Sequence, residues 1–560
     1  MFTKRNMVLM LVLVVGFVTR FYHLSTWPIA FAADEAALGY NAWSILTTGR
    51  DEWGKFFPVT MRSFDDWKPA TYSYLAIPGV ALFGLSEWTS RLPAAIFGAL
   101  LPLFVYLLVK RTTGKPSLGI LASLMIVISP WHIEISRTAI EAGVALSIFT
   151  LSLWFFASKK SSHHYWGLGL LMLTLFTYHT ARLVAPLIVV SAIWLGIFKT
   201  KKGTNIAVVA IFLLGIILSL TASSSRYAQI SIFNDEGAKL KREEAIREDG
   251  GIINTPLLAT RMFHNKPLSW MYSFAESYIQ NTSLSYLFLG GAQPPRVTIP
   301  ETGQFLLIML PLFLIGAGVS LHRFSRFDQW ILFWLIIGPL PAALTYAELP
   351  HTYRTLFMLP PLAILMATGF WTSFLWIKKQ KKILFWPAVL LVAFSTTFLF
   401  AKALHQYRVH QQVHQPWHRQ SGYGNLISYL NHLEGVEHIT ITNHEGEPYI
   451  YILFYDRVPP SVYLAWPQKR LAHKAIESGE SQWQLFNYTF SEESCPFNGE
   501  DINPNHIYVS LPHCDLPKTY EKMTTINFLD GQPEFLISRP ALVKPSDTFM
   551  ETKGIIQKDN

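Results

Sequence analysis

Two adjacent carboxylates, Asp34 and Glu35, stand directly after the first long apolar run of the sequence. They open an amphipathic segment, Asp34 to Thr48, that ends at Gly49. A carboxylate shielded by apolar helices at a membrane surface can act as a general base on a hydroxyl or an amine. Adjacent helical residues do not share a face, so we expect one carboxylate to face a reaction centre and the other to orient it. The alternative is that Asp34 only caps the helix.

A second polar cluster lies further along, in the segment Ser63-Phe-Asp65-Asp66-Trp-Lys68-Pro. The ammonium group of Lys68 suits a phosphate, while Asp65 and Asp66 suit the hydroxyl groups of a sugar or a cation. The alternative is an ordinary exposed turn. The cluster therefore adds a candidate phosphate ligand and two candidate substrate ligands.

Three arginines stand at the ends of separate apolar runs, each with a histidine close by in sequence. The pairs are His132 with Arg137, His179 with Arg182, and His351 with Arg354. Guanidinium groups hold phosphate oxygens through paired hydrogen bonds. The alternative is that these side chains extend to lipid headgroups. We interpret them as an anion site, because outer membrane loops are normally poor in basic residues.

The composition identifies the class of protein that must position these groups. The chain has 560 residues, of which 51% are hydrophobic and only 15% are charged, whereas about 25% are charged in a typical soluble domain. Many apolar runs are long enough to span a bilayer, which indicates an integral membrane protein. The net charge of +9 lies in short clusters between apolar runs, so no nucleic-acid partner is expected.

The hydrophobic pattern predicts a mainly α, polytopic fold with about eleven transmembrane helices. The predicted spans are 7–24, 88–109, 117–135, 141–158, 165–180, 182–198, 205–222, 304–321, 328–346, 353–377 and 383–402. The apolar stretch Tyr72 to Leu85 contains Pro78 and is short, so we interpret it as re-entrant or interfacial. If it spans the membrane, the count becomes twelve.

Basic residues mark one face of this arrangement. Lys4 and Arg5 precede the first span, and lysines or arginines follow every even-numbered span. The positive-inside rule assigns that face to the cytoplasm. The N-terminus is then cytoplasmic, and the polar clusters and the C-terminal region lie outside, across what we expect to be a bacterial inner membrane.

Composition also divides the chain into two domains. Residues 1–404 form the transmembrane domain, with outer loops 25–87 and 223–303, and residues 405–560 form a small extracytoplasmic α/β domain. Cys495 and Cys514 could pair in an oxidising compartment, and a two-cysteine metal site is the alternative. Asn281-Thr-Ser and Asn487-Tyr-Thr match the N-glycosylation acceptor pattern, which is a frequent chance match.

The polar segments together resemble the polytopic glycosyltransferases that use lipid-phosphate sugars. The resemblance is to the family of protein O-mannosyltransferases and lipid A aminoarabinose transferases, within the GT-C superfamily, and it covers about 25–375. It rests on Asp34-Glu35-Ala-Ala-Leu-Gly-Tyr40-Asn41-Ala, Thr48-Gly-Arg-Asp51-Glu52-Trp-Gly54, Ser63-Phe-Asp-Asp-Trp-Lys68-Pro69, Arg91-Leu-Pro93, Ser136-Arg137 with Glu141, Tyr178-His-Thr-Ala-Arg182, and Pro350-His351 with Arg354.

The resemblance implies a polyprenyl-phosphate sugar as donor and an extracytoplasmic lipid, glycan or protein as acceptor. Asp34 is expected to be the base, with Glu35 beside it. The expected ligands of the donor phosphate are Lys68, Arg137, Arg182, Arg354 and His351. The expected substrate-binding residues are Asp65, Asp66, Tyr40, Tyr178 and Glu141.

No cofactor is expected, because the lipid carrier is already activated and the sequence contains no nucleotide-binding motif. Some members of the superfamily use a divalent metal, and Asp34, Glu35, Asp65 and Asp66 could hold one. We expect instead that Lys68 and the arginines supply the charge, so no metal ligand is assigned. Two alternatives to a glycosyltransferase are a transporter or flippase of lipid-linked sugars and a non-catalytic membrane assembly protein.

Overall fold

A computed structural model describes residues 4–29, 31–64, 66–221, 230–252, 257–380, 382–466, 482–499 and 501–541. Asp65, a predicted substrate ligand, lies outside the described residues. The chain forms two compact units, Met1–Arg419 and Gln420–Asn560. The division thus lies C-terminal to the boundary at 404/405 that the composition suggests.

The first unit is helical. Its helices are α1 Lys4–Phe21, α2 Ala33–Thr48, α3 Thr71–Phe83, α4 Glu87–Thr113, α5 Pro116–Val127, α6 Pro130–Ile135, α7 Glu141–Phe156, α8 Ser161–Leu175, α9 Ala181–Trp194, α10 Lys202–Thr221, α11 Glu236–Ile252, α12 Leu257–Phe263, α13 Lys266–Thr282, α14 Leu284–Phe288, α15 Met309–Arg323, α16 Arg326–Ile337, α17 Leu340–Ala343, α18 Leu359–Gln380, α19 Lys382–His405 and α20 Gln411–Val413. Each predicted span overlaps with at least one of these helices. The predicted mainly α fold is therefore confirmed.

Four helices in the described part of the chain are long and apolar enough to cross a membrane. They are Glu87–Thr113, Lys202–Ser219, Leu356–Lys379 and Phe385–Val413. Shorter apolar helices are Thr71–Phe83, Pro116–Val127, Glu141–Phe156, Ala181–Trp194 and Met309–Arg323. The protein is an integral membrane protein, while the count of eleven spans stays a prediction.

Backbone contact between helices holds part of this bundle together. A Cβ atom on Gly316 of α15 would lie 1.8 Å from the carbonyl oxygen of Leu365 in α18. One on Gly369 of α18 would lie 1.9 Å from the carbonyl oxygen of Leu312 in α15. Small residues at such a crossing let two helices pack closely without a side chain between them. Neither glycine can therefore be replaced without separating the two helices.

The helix that begins beside the two carboxylates has well-defined ends. Its N-cap is Ala32, whose N–H donates to the Glu35 carboxylate at 3.4 Å. At the other end, Gly49 adopts the left-handed conformation (φ 69°) that favours glycine, and its N–H donates to the carbonyl of Ile45 at 2.9 Å. Asp34 lies inside the first turn, so the capping alternative for Asp34 is wrong.

A two-stranded hairpin carries the next polar cluster. Strand β1, Thr60–Ser63, pairs with the antiparallel strand β2, Asp66–Pro69, and Met61 stands opposite Lys68. Met61 packs in a core cluster with Leu38 of α2 and Tyr72 of α3. This packing holds β2 against the helix that carries Asp34.

The second unit is a small α/β module around a six-stranded sheet. Its strands are β3 His438–Thr442, β4 Gln482–Leu485, β5 Tyr488–Ser491, β6 His506–Ser510, β7 Tyr520–Asn527 and β8 Pro533–Pro540, in the order β4-β5-β3-β6-β8-β7. Strand β3 pairs in parallel with β5 and β6, and the other pairs are antiparallel. The helices are α21 Tyr423–Leu430, α22 Pro448–Tyr455 and α23 Pro460–Ala465. Cys495 and Cys514 form a disulfide, which leaves neither thiol to bind a metal.

A buried carboxyl group in this unit is unusual. Glu534 at the start of β8 is 6% exposed, and its Oε1 accepts the N–H of Gly422 at 3.2 Å. Its other oxygen meets no hydrogen-bond donor in the described part of the chain. Burial, reinforced by the charge of Glu445, raises the pKa of Glu534 from 4.5 to about 8. The carboxyl group is therefore neutral in the folded protein at pH 7.

Glu534 should make the second unit less stable as pH rises. Between about pH 5 and pH 8 the unfolded chain gives up a proton that the folded unit keeps, so the free energy of unfolding falls. We expect Glu534→Gln to abolish this loss, measured by thermal unfolding of the full chain with protease cleavage of the unit as readout. Glu434→Gln, at an exposed site in the same unit, is the matched control. Identical pH profiles for wild type and Glu534→Gln would contradict the prediction.

Candidate active site

A buried ion pair fixes the start of α2. The Glu35 carboxylate accepts hydrogen bonds from Arg91 Nε at 3.1 Å and Nη2 at 3.4 Å, and from the N–H of Ala139 at 2.7 Å. Arg91 also donates to the carbonyls of Leu24 at 3.1 Å and Pro28 at 3.0 Å. Both side chains are fully buried. Glu35 is therefore occupied in holding α2, which agrees with an orienting role and not with that of the base.

Asp34 faces the other way and pairs with Lys68 of β2. The Lys68 ammonium donates a short hydrogen bond to Asp34 Oδ1. The Asp34 side chain is 45% exposed, whereas that of Lys68 is 10% exposed. The strand is held in place by His179, whose Nε2 donates to the carbonyl of Trp67 at 2.8 Å. Asp34 is thus the accessible carboxylate of the two, and its partner is a cation.

Asp34 and Lys68 line a cavity of about 390 Å³ in the first unit. Its charged lining residues are Asp34, Glu35, Lys68, Glu141, Arg182, Arg296, Glu348 and Arg354. Tyr178, His179 and His351 also line it, and its apolar wall includes Ile140, Leu183, Ile216, Ile230 and Leu344. The cavity therefore has a charged side and an apolar side.

Arg182 offers a positive charge to this cavity. The side chain is 1% exposed, and it donates to the carbonyls of Leu175 at 3.3 Å and Leu218 at 3.2 Å. Among the described residues its guanidinium meets no carboxylate. A buried cation without a counter-ion is costly, so an anion bound in the cavity would be strongly favoured here.

The loop between α17 and the 3₁₀ turn Leu356–Met358 supplies a second group of cavity residues. Arg354 Nη1 donates to Thr345 Oγ1 at 2.8 Å and to the carbonyl of Ala347 at 2.9 Å. The N–H of His351 donates to the side-chain oxygen of Asn281 at 2.8 Å. These bonds fix the loop against α13 and direct Arg354 at the cavity.

His351 is neutral and directs a ring N–H at Glu348. Its Nδ1 accepts the N–H groups of Tyr353 at 3.2 Å and Arg354 at 3.4 Å, which places the ring proton on Nε2, 3.5 Å from Glu348 Oε2. Burial, reinforced by the charge of Arg354, lowers the pKa of His351 to about 4. Burial alone would raise the pKa of Glu348, but His351, Arg296 and Arg354 outweigh it and hold that pKa at about 2.

Two of the predicted site residues, Arg137 and Tyr40, contact other parts of the fold. Arg137 donates to the carbonyls of Thr19, Tyr22, His23 and Trp27 and to the hydroxyl of Tyr407, at 2.8 to 3.2 Å. It is not among the residues that line the cavity, and its assignment to the donor phosphate stays a prediction. Tyr40 is buried in α2 against Trp43 and is not among the residues that line the cavity, so its substrate-binding role also stays a prediction. Asp66 is the first residue of strand β2.

The cavity also contains residues that the sequence did not single out. Arg296 follows the segment Gly290-Gly-Ala-Gln-Pro-Pro, and its Nη1 lies 3.8 Å from Glu348 Oε1. Glu348 stands three residues before His351, and neither side chain had a predicted role. Tyr178 and Glu141, which were predicted to bind substrate, do line the cavity. The structure therefore brings Asp34, Lys68, Arg182, Arg354 and His351 together and adds Arg296 and Glu348.

The Glu35–Arg91 pair should be essential for stability. Glu35→Ala leaves a buried guanidinium without its carboxylate, and breaking such a pair typically costs about 3–5 kcal/mol. The free energy of unfolding in detergent measures this cost. Glu87→Gln is the matched control, because Glu87 lies 3.9 Å from the same arginine but is 27% exposed, and we expect it to cost about 1 kcal/mol or less. Equal losses for the two variants would refute the assignment.

Comparisons with known proteins identify a similar family and a similar fold. Residues 67–224 match the dolichyl-phosphate-mannose-protein mannosyltransferase family, a region that includes Lys68, Glu141, Tyr178 and Arg182. No curated protein matches the sequence. The fold is similar to the crystal structure of apo ArnT from Cupriavidus metallidurans, with a TM-score of 0.51, 13% identity, and coverage of 94% of this chain and 97% of ArnT.

A second crystal structure of ArnT from the same organism is bound to undecaprenyl phosphate. It gives a TM-score of 0.47 at 13% identity, and covers 95% of this chain and 97% of that chain. The resemblance that the sequence motifs indicate is confirmed at this level: the chain has a fold similar to that of apo ArnT, and residues 67–224 are similar to the protein mannosyltransferases.

Proposed function

We propose that the protein is a glycosyltransferase that moves a monosaccharide from a polyprenyl phosphate to an extracytoplasmic acceptor. The observation that carries the proposal is a single cavity in which Asp34 lies beside Lys68 and shares the wall with Arg182, Arg296 and Arg354. The family match over 67–224 supports the same reaction class. A non-catalytic assembly protein would have no need to gather these groups in one cavity.

The charges of the cavity suit the leaving group of this reaction. A sugar phosphodiester carries one negative charge, and the lipid phosphate that leaves carries a second. Fixed cations aimed at the place where negative charge develops stabilise the transition state more than the ground state. Lys68, Arg182, Arg296 and Arg354 would supply that positive charge.

In the proposed transfer step, Asp34 takes the proton from the hydroxyl or amine of the acceptor. The acceptor's oxygen or nitrogen attacks the anomeric carbon and forms the new glycosidic bond. Its proton passes to the Asp34 carboxylate, and the bond from the anomeric carbon to the phosphate oxygen breaks with its electron pair on the lipid phosphate. The hydrogen bond from the Lys68 ammonium holds the Asp34 carboxylate at the cavity wall, where it would meet the acceptor.

The apolar wall supports a lipid as the carrier of the sugar. Leu183 of α9 and Ile216 of α10 face the same cavity as Ile230 and Leu344. An isoprenoid chain gains about 25 cal/mol for each Å² of apolar surface that it buries. The phosphate would then bind at the charged side, with the chain along the apolar side.

Two of the carboxylates that could hold a divalent cation already pair with basic side chains. Lys68 already pairs with Asp34, and Arg91 already pairs with Glu35. A metal bound by either carboxylate would have to displace a neighbouring cation. We therefore propose that transfer is independent of metal and of any cofactor, with the basic residues in the role that a metal would have.

Orientation follows from the charge pattern of the loops and from the second unit. Basic loops mark the cytoplasmic face, which places the cavity and the C-terminal unit outside. The Cys495–Cys514 disulfide supports this placement, because such bonds persist in oxidising compartments. We propose a bacterial inner membrane as the location.

The sugar, hexose or pentose, and the acceptor are best identified in cells. Mass spectrometry of lipid-linked sugars and envelope glycans would compare a strain lacking the protein with its parent. Accumulation of one polyprenyl-phosphate sugar and loss of the same sugar from a lipid, glycan or protein would name both substrates. If the protein were a flippase, the strain that lacks it would instead keep that donor on the cytoplasmic face, where impermeant reagents cannot reach it.

Asp34→Asn should abolish transfer while the protein stays folded. The amide cannot accept a proton, and loss of a general base typically lowers the rate about 10²–10⁴-fold. Turnover of labelled polyprenyl-phosphate sugar by purified protein is the measurement, with thermal unfolding as the check on folding. Wild-type turnover by this variant would remove Asp34 from the mechanism.

Arg354→Ala should weaken binding of the donor. It removes a guanidinium from the phosphate side of the cavity, and a hydrogen bond to a charged group contributes about 1.5–3 kcal/mol. Donor affinity should therefore fall about tenfold or more, as measured by a binding assay in detergent or nanodiscs. Arg261→Ala, on the exposed helix α12 and outside the cavity lining, is the matched control. An unchanged donor affinity for Arg354→Ala would contradict its assignment to the phosphate.

A further inference from the structure

Glu348 occupies a position that the proposed chemistry does not use. Its carboxylate lies in the cavity wall, 3.8 Å from Arg296 Nη1 and 3.5 Å from His351 Nε2. The charge of Arg354 acts on it as well. Both distances exceed an ordinary charge-assisted hydrogen bond of about 2.7–2.9 Å, and the side chain is 40% exposed. Glu348 thus lies near the Arg296 guanidinium and the His351 ring at distances longer than those of such hydrogen bonds.

The backbone around Glu348 fixes the carboxylate in this place. Glu348 itself has a positive φ of 56°, which is unusual for a residue with a side chain. The N–H of Gln293 donates to the carbonyl of Pro350, and the N–H of Thr352 donates to the carbonyl of Gln293, both at 2.8 Å. With the bond from His351 to Asn281, the loop is tied down on two sides. A strained conformation that the surroundings hold in place often marks a functional position.

Building on the proposed function, we propose that Glu348 is a positioning residue that competes with the lipid phosphate for Arg296 and Arg354. In the free protein its carboxylate stands where it can attract both guanidinium groups. A phosphate that enters the cavity must draw the same two groups away from it. Glu348 therefore sets how tightly the cavity holds any phosphate.

The competition weakens binding of the spent lipid phosphate more than it weakens binding of the donor. The donor is a phosphodiester with one negative charge, whereas the spent carrier is a phosphate monoester with a charge of about −1.5 to −2 at pH 7. Coulomb repulsion from a fixed carboxylate grows in proportion to the charge it faces. Glu348 thus favours release of the spent carrier over release of the donor, and a site rich in cations avoids being blocked by its own product.

The test measures the affinity of purified full-length protein for bare polyprenyl phosphate. Glu348→Gln keeps the shape and removes the charge, so we expect binding to become about tenfold tighter. Inhibition by added polyprenyl phosphate should strengthen in parallel, and kcat should fall while the KM for donor falls as well. A merely structural role would loosen binding, which is the opposite sign. Unchanged or weaker binding of polyprenyl phosphate would overturn the proposal.

Two further variants make the result specific. Glu301→Gln removes one negative charge from the same polar region, at an exposed site outside the cavity lining, and should leave the affinity unchanged. Glu348→Asp keeps the charge on a shorter side chain and should give an affinity between those of wild type and Glu348→Gln. If Glu348→Gln does not fold, Glu348→Asp alone decides: tighter binding supports the proposal and weaker binding overturns it.

The same assays separate this inference from the proposed function. If wild type transfers sugar from a polyprenyl phosphate and Glu348→Gln does not bind the bare carrier more tightly, only the role of Glu348 fails. If wild type transfers no sugar and yet Glu348→Gln binds the carrier more tightly, the competition stands and the transfer reaction fails.

Discussion

The buried ion pair between Glu35 and Arg91 positions the groups on which the site depends. A carboxylate and a guanidinium can be buried in an apolar bundle only if each satisfies the other and their remaining atoms find partners. Here the carbonyls of Leu24 and Pro28 and the N–H of Ala139 complete the pair. The start of α2 is thereby joined to the chain before it, to α4 and to the segment before α7. Asp34, one residue earlier, inherits its position from these bonds.

Arginines in this molecule perform two different tasks that depend on their partners. Arg137 donates its hydrogen bonds to backbone carbonyls. These bonds join α1 and the turn after it to the segment before α7. Arg182 has two such partners among the described residues and lines a cavity. The same type of side chain thus joins segments of the fold in one place and lines a cavity in another. The difference is set by the number of carbonyls that the fold supplies.

Much of the fold and part of the site could be predicted from sequence, for physical reasons. Apolar runs must become helices in a membrane, so α4 and α18 were predictable, and the short polar turns containing Arg182 and Arg354 stood out. The contacts of Arg137 could not be predicted, because its carbonyl partners come from distant residues and leave no sequence pattern. Arg296 was missed because a long polar loop has no periodicity to show which residue turns inward.

Asn281 has a consequence for how the protein is produced. Its side chain is fully buried, with its amide nitrogen bonded to the carbonyl of Ser277 and its oxygen to the N–H of His351. The other acceptor site, at Asn487, is exposed. In a host that glycosylates secreted chains, a sugar can reach Asn281 only before the loop at His351 closes over it. A glycan at Asn281 would therefore mark misfolded molecules. Its detection by mass spectrometry would measure the misfolded fraction of a recombinant preparation.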